Sequence, residues 1–385
     1  MSGWRVAVQP GATVVSPNPD VVISFDLEGR LKTFFRQGTL IKRSLSSELH
    51  ARRSVAGVRR RWRIGGGERL DIFERAREVA VQAQRDAIKS AEPTLRSLFA
   101  ERLSASERWT PERLSAEEGR FARAYAPISI LPPDQYGAIV VQGTFGCSWN
   151  RCSFCSFYQD RPFELRSTQA LTRHLQSVVE LLGDDARARR SLFLADGNAL
   201  VLSNARLRPL FEASRNTFPG RPMASFVDVF SGEKKPLADF VELRSWGLEQ
   251  VVVGLESGHE PLLRFINKPG GAEAAVDFIT TLKAAGLRVG AIFMVGVGGR
   301  TFADGHLQDS ISLIERLPLG RGDTIYLSPF VLHHGSAYAD DAAREQIEAL
   351  SDPELRDQQS TFTSAARRAH PQVQVARYPI DEFLY

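Results

Sequence analysis

The sequence predicts an α/β protein: a parallel sheet covered by helices, preceded by a small α+β addition. Three observations predict it. Six apolar runs suited to buried strands follow one another, at 138–142, 192–195, 223–229, 250–255, 289–297 and 324–332. Helical stretches separate them, near 167–183, 203–215, 236–246, 272–285 and 304–317. Gly183, Gly247 and Gly286 follow three of those helices as C-terminal stop signals do. Successive β-α units imply parallel strands. Right-handed crossovers curl such a sheet into an open barrel or a doubly wound sheet. In both, ligands belong at the C-terminal ends of the strands.

Composition fits this architecture. The chain has 385 residues, 43% hydrophobic and 24% charged, which matches two or three folded domains or one large barrel with additions and excludes a largely disordered chain. No run of 18 apolar residues occurs, so no membrane span is expected. Residues 1–17 lack the basic-then-apolar layout of a secretory signal, so the expected compartment is the cytoplasm. The 49 Lys and Arg against 45 Asp and Glu give a mild +4, unevenly spread. Arg52, Arg53, Arg59, Arg60, Arg61, Arg63 and Arg69 lie close together against Glu68 alone. Such a stretch is a solvated face or an anion site for phosphate, carboxylate or RNA.

Before the sheet, residues 21–26 and 30–35 read as a hairpin around Leu27-Glu28-Gly29, and Gln37-Gly38 turns the chain into a third strand at 40–45. After Gly65-Gly66-Gly67 the period changes. Ile72, Phe73, Ala76, Val79, Ala80, Ala83 and Ala87 recur at helical spacing. Ser115 with Glu118 forms a candidate capping box for a further helix through 121–125. Pro132-Pro133 marks a joint. The expected divisions are an α+β addition with the basic stretch at 1–133, the β-α body at 134–340 and a short C-terminal extension at 341–385. The extension holds candidate helices at 342–350 and 355–369. Its apolar end, from Tyr378 to Tyr385, is expected to dock the terminus rather than form a site.

Only three cysteines occur, Cys147, Cys152 and Cys155, in a loop directly after the first strand of the series. An odd number at close spacing cannot build a disulfide framework and reads as metal or cluster ligation. Structural zinc takes four protein ligands; here there are three thiolates. A [4Fe–4S] cluster held by three cysteines leaves one iron open to bind a small molecule and pass it an electron. Iron–sulfur ligation is therefore the reading adopted. Zinc and three unrelated structural cysteines are the alternatives.

The loop resembles the cluster motif of the radical S-adenosylmethionine (SAM) enzymes, Cys-x3-Cys-x2-Cys, with one more residue in the first gap. The resemblance continues in order over residues 135–340 and implies a partial (β/α)6 TIM-like barrel. It implies that Phe154 lies against the adenine of SAM. Asp196-Gly197-Asn198, after the second strand, stands where the family receives the methionine ammonium. Gly254-Leu255-Glu256-Ser257-Gly258, with Lys268 beyond, resembles a stretch of the branch that includes methylthiotransferases and anaerobic coproporphyrinogen dehydrogenases. There the strand-end polar residue and the later basic residue face the amino-acid end or ribose of SAM, as a cation suits a carboxylate. Gly296, in Val295-Gly296-Val297-Gly298-Gly299, occupies the slot where family glycines approach the adenine.

The implied reaction starts with one electron from the reduced [4Fe–4S] cluster into the SAM sulfonium. The resulting 5′-deoxyadenosyl radical abstracts hydrogen from an unidentified organic substrate. The cofactor carries this chemistry and the protein aims the substrate. An electron donor such as flavodoxin or ferredoxin is implied. Three cysteines spent on one cluster leave none for a second cluster or a cysteine hydrogen donor. No catalytic side chain is assigned. Asp228, Met294, His333 and His334 are candidate substrate contacts by strand-end position, and Tyr158 or Tyr326 a candidate hydrogen donor. A small or medium-sized organic substrate is expected. RNA is the alternative suggested by the arginine stretch, and a non-enzymatic zinc or iron–sulfur protein is the third reading.

Overall fold

The computed structural model describes residues 4–55, 58–86, 88, 92–333, 335–380 and 383–385. The chain divides into two compact units, residues 1–127 with 173–190 and 384–385, and residues 128–172 with 191–383.

The first unit is a seven-stranded antiparallel sheet in sequential order: β1 (Arg5–Gln9), β2 (Ala12–Asn18), β3 (Val21–Phe25), β4 (Leu31–Arg36), β5 (Thr39–Arg43), β6 (Leu49–Val55) and β7 (Val58–Ile64). Three helices follow, α1 (Gly66–Asp86), α2 (Pro93–Glu107) and α3 (Pro111–Ala124). Phe73, Ala76, Ala80 and Ala83 form one stripe of α1 and share a core with Ile23, Phe25, Phe34 and Leu49 of the sheet. Ala87 lies outside the described residues. The strands expected at 21–45 are β3 to β5, and the arginine stretch forms most of the β6–β7 hairpin. The capping expectation at Ser115 is corrected. Helix α3 starts earlier, with Thr110 accepting from the Arg113 amide (3.4 Å) and Pro111 at the first turn, so Ser115 is inside the helix.

The second unit contains β8 (Ile139–Gln142), β9 (Thr144–Phe145), β10 (Glu164–Leu165), the start of α4 (Thr168–Leu182), β11 (Leu192–Ala195), α5 (Asn204–Thr217), β12 (Met223–Asp228), α6 (Val229–Gly232) and α7 (Leu237–Ser245). It continues through β13 (Leu248–Glu256), α8 (Glu260–Phe265), α9 (Ala272–Ala284), β14 (Arg288–Val295), α10 (Gly299–Arg316), β15 (Thr324–Pro329), α11 (Ala337–Arg344), α12 (Asp352–Ala369) and β16 (Gln374–Arg377). The large sheet has the order β8-β11-β12-β13-β14-β15-β16, every neighbouring pair parallel. The six expected strands are β8 and β11 to β15. The seventh, β16, comes from the segment expected to be an extension. It pairs Thr324 with Gln374, and it is short and only half-buried, so no apolar run announced it. No described helix is long and apolar enough to cross a membrane.

Candidate cofactor pocket

Parallel strands in one sheet end on the same side, so residues distant in sequence meet there. A cavity opens at that edge of the second unit. The cysteine loop lines it with Cys147, Trp149, Cys152, Phe154, Cys155, Phe157 and Tyr158. The strand ends and following loops add Gly197, Phe226, Asp228, Glu256, Lys268, Ile292, Met294, Ser328, Phe330, His333, Tyr378 and Ile380.

Hydrogen bonds rather than regular structure hold the cysteine loop. The Cys155 amide donates to the Cys152 carbonyl (3.1 Å), that of Ser153 to Ile266 (3.0 Å), and that of Tyr338 to Ser153 (3.0 Å). Asn150, inside the longer first gap, takes a left-handed φ of 47°, which asparagine tolerates. Its Nδ2 donates to the Tyr158 carbonyl (2.8 Å), and Asn267 Nδ2 donates to that of Arg151 (2.8 Å). Burial pushes the Cys152 thiol up to about 12 and that of Cys155 to about 11. Both are therefore protonated at neutral pH until a cation draws charge from the sulfur. Among the described residues no three His, Cys, Asp or Glu side chains converge on a single metal-ion position.

A bulge interrupts the pairing of β13 between Gly254 and Glu256, and Glu256 has a φ of 63°. Bulges re-aim side chains, and Glu256 lines the cavity. Lys268 Nζ lies 3.3 Å from its Oε1, the two side chains being 11% and 10% exposed. Burial opposes the Lys268 ammonium, but the carboxylates of Glu256 and, further off, Asp228 outweigh it and hold the group above the ordinary lysine range.

The other residues expected around SAM divide sharply. Phe154 and Gly197 line the cavity. A Cβ on Gly197 would stand 2.6 Å from Cε2 of Tyr158, so glycine alone lets that ring lie where it does. Asp196 stands outside the lining. Its carboxylate accepts from the Gly146 amide (3.1 Å) and Gln142 Nε2 (3.1 Å), fastening the start of the cysteine loop. Burial raises its pKa. Asn198 also stands outside. Its Nδ2 donates to Ser148 Oγ (2.8 Å), Ser231 Oγ (3.0 Å) and Asp228, while its Oδ1 is buried without a partner. Ser257 is buried behind the cavity, its hydroxyl bonded to His306 Nδ1 (2.8 Å). Gly296, at φ 86°, faces the chain's own C-terminal helices. Its amide donates to Gln358 Oε1 (2.7 Å), and a Cβ would collide with Leu355. Gly296 thus packs against α12 and stands outside the cavity lining.

Of the remaining candidates, Asp228, Met294, His333 and Tyr158 line the cavity. Tyr326 does not. Its hydroxyl donates to Asp134 Oδ1 (2.5 Å). His334 lies outside the described residues. The sequence reading missed Tyr378, whose amide donates to the Leu327 carbonyl (2.8 Å), extending the β16 pairing. Its side chain is fully buried and its hydroxyl has no partner. The terminal aromatic cluster was visible in sequence, but no strand pattern tied it to the pocket.

Residues 141–311 match the family description of the Radical SAM superfamily. That stretch is a radical SAM domain. Enzymes of the radical SAM superfamily use a [4Fe–4S] cluster and SAM. No curated protein matches the chain in sequence. Among solved structures, coproporphyrinogen III oxidase from Escherichia coli, a radical SAM enzyme, is 14% identical with a TM-score of 0.43, over 65% of this chain and 60% of its own. Methylornithine synthase is 13% identical with a TM-score of 0.40, over 66% of this chain and 76% of its own. Elp3 from Methanocaldococcus infernus, with its N-terminus deleted, is 12% identical with a TM-score of 0.41, over 62% and 56%. Likenesses this distant assign no substrate or reaction to the radical SAM chain described here.

Proposed function

We propose that this radical SAM enzyme holds its [4Fe–4S] cluster on Cys147, Cys152 and Cys155, binds SAM against Glu256, Lys268, Asp228 and Phe154, and takes hydrogen from a small, largely apolar organic substrate. One observation carries the reading. The three cysteines line one cavity with the Glu256–Lys268 pair. Structural zinc takes four protein ligands, whereas a cluster with one open iron would take these three thiolates and leave a position for SAM. The donor set fits: three soft thiols beside a charged pair able to match the zwitterionic end of an amino acid.

When bound, the cluster and SAM supply reductive cleavage and a hydrogen-abstracting carbon radical. The chain's residues bind, orient and exclude water. Lys268 matches the methionine carboxylate, and Glu256 accepts from the ammonium or from ribose hydroxyls. Phe154 offers a flat apolar face to the adenine. Asp196 and Ser257 act at one remove, as positioning residues for the cysteine loop and for the end of β13. Asp228, Glu256 and Lys268 are the charged residues of the lining, and SAM engages all three. What remains for the substrate is Phe157, Phe226, Ile292 and Phe330, with Ser328, His333 and Tyr378 as polar points. That wall favours an uncharged substrate and keeps water from a radical. Consecutive strand order without reversal lacks the switch point of a doubly wound sheet, which supports a partial (β/α) barrel with this cavity at its mouth.

The test is anaerobic reconstitution followed by iron and sulfide analysis, electron paramagnetic resonance of the reduced protein with and without SAM, and assay for 5′-deoxyadenosine. About four irons per chain, a spectrum altered by SAM and SAM cleavage are expected. Zinc without iron, or a cluster indifferent to SAM, overturns the reading.

A further inference from the structure

The first unit carries a charge distribution that the cofactor chemistry does not use. Residues 39–64 hold eight Lys and Arg against Glu48 alone, a net +7, whereas the whole chain carries +4, leaving −3 for the rest. The fold sets these charges side by side. Across the β6–β7 ladder Arg52 stands opposite Arg61, Arg53 opposite Arg60 and His50 opposite Arg63, and Lys42 of β5 stands opposite His50. Strand alternation puts Lys42, His50, Arg52, Arg61 and Arg63 on one face, because Ile41, Leu49, Ala51 and Ile64 are buried on the other. Arg63 forms an ion pair with Glu48.

Like charges directly opposite one another destabilise a ladder. Charges on an edge strand also block edge-to-edge pairing, and β7 is an edge. That need is met by β7 itself. It does not call for Arg52 and Arg53 on the inner neighbour, or for Lys42 one strand further in.

We infer that this basic hairpin is a docking surface for a nucleic-acid backbone. Guanidinium groups take phosphate oxygens two at a time. Residues two apart on a strand stand about 6.7 Å apart, so Arg61 and Arg63 form a regular row. A row of cations along a strand can track the backbone of a single-stranded nucleic acid. RNA and DNA share this backbone chemistry. The inference does not depend on the cofactor reading, and binding can be measured whether or not SAM is cleaved.

The test is fluorescence anisotropy of the full chain with labelled single-stranded RNA and DNA 20-mers between 50 and 200 mM salt. Four cationic contacts, from Lys42, Arg52, Arg61 and Arg63, on a single strand give a slope of log K against log salt of about −2.8, a loss of about 50-fold over that range. R52A/R61A is expected to weaken binding about tenfold or more and to flatten the slope to about −1.4. R52K/R61K keeps the charge and the slope. A preference between the two 20-mers identifies the natural source. No binding at 50 mM salt overturns the inference, as does binding that R52A/R61A leaves unchanged. Should the alanine pair fail to fold by circular dichroism, a folded R52Q/R61Q that binds as the native chain does overturns it. Binding to phosphatidylserine vesicles without binding to either 20-mer also overturns it.

Discussion

Ser257 gives its hydroxyl hydrogen to Nδ1 of His306 at 2.8 Å, and His306 gives its Nε2 hydrogen to the Met294 carbonyl at 2.9 Å. The carbonyl can only accept, which fixes the tautomer of the ring. The relay ties the residue after Glu256 to the strand that carries Met294 into the cavity. Ser257 thus sits in the stretch that resembles a SAM-binding motif, but it is spent on holding two strand ends together.

This relay makes stability depend on pH. Burial lowers the His306 pKa from 6.5 to about 4. The unfolded chain takes up this proton first as pH falls. The contribution is therefore complete above about pH 6.5 and is lost progressively down to pH 4, for about 3 kcal/mol in all. Urea unfolding across that window is expected to show the decline, and H306Q to flatten it. An unchanged slope in H306Q would remove His306 as the cause.

Lys268 and Glu256 are coupled. K268M leaves a buried carboxylate without its partner and is expected to destabilise the protein by about 3 kcal/mol. The double variant E256Q/K268M removes both charges and is expected to regain most of that loss. Neither variant is expected to retain SAM affinity within tenfold of the native protein. Thermal unfolding and equilibrium dialysis with SAM separate the two effects. Native affinity in E256Q/K268M would show that the pair is structural only.

The Tyr378 hydroxyl is buried without a partner. Removing such a group relieves a desolvation penalty of about 1 kcal/mol or more. Y378F is therefore expected to raise the melting temperature of the protein without SAM or substrate. A lower melting temperature would mean that the hydroxyl is satisfied in solution.

Gly197 and the Tyr158 ring occupy touching space. G197A places a methyl 2.6 Å from that ring and is expected to cost about 1–3 kcal/mol while displacing Tyr158. The double variant G197A/Y158L, which removes the flat ring, is expected to recover part of the loss. Additive losses in a double-mutant cycle would show that the two positions do not interact.

The sequence shows its local signals faithfully. The apolar run at 192–195 is β11, and those at 223–229 and 324–332 overlap β12 and β15 closely. The cysteine spacing marks the loop that lines the cavity. Longer-range relationships were less legible. Strand β16 has two half-buried and two exposed residues, so it carries no period strong enough to read. The first-unit sheet has seven strands, of which only β3 to β5 had clear turn signals between them.

By itself the sequence determined the alternation of strand and helix, the cysteine loop and the positions of polar residues at strand ends. These follow from side-chain period and short spacing, which neighbouring residues alone express. Tertiary structure decided which of those residues face the cavity. Asp196 turns to the Gly146 amide, Ser257 to His306, and Gly296 to Leu355 and Gln358, whereas Glu256 is turned inward at a bulge and Tyr378 arrives on a seventh strand. The partners in these pairs are separated by about 50 to over 60 residues, as with Asp196 and Gly146 or Gly296 and Gln358. A buried polar group takes whatever donor or acceptor the packed chain brings to it, and that choice exists only once the sheet has assembled.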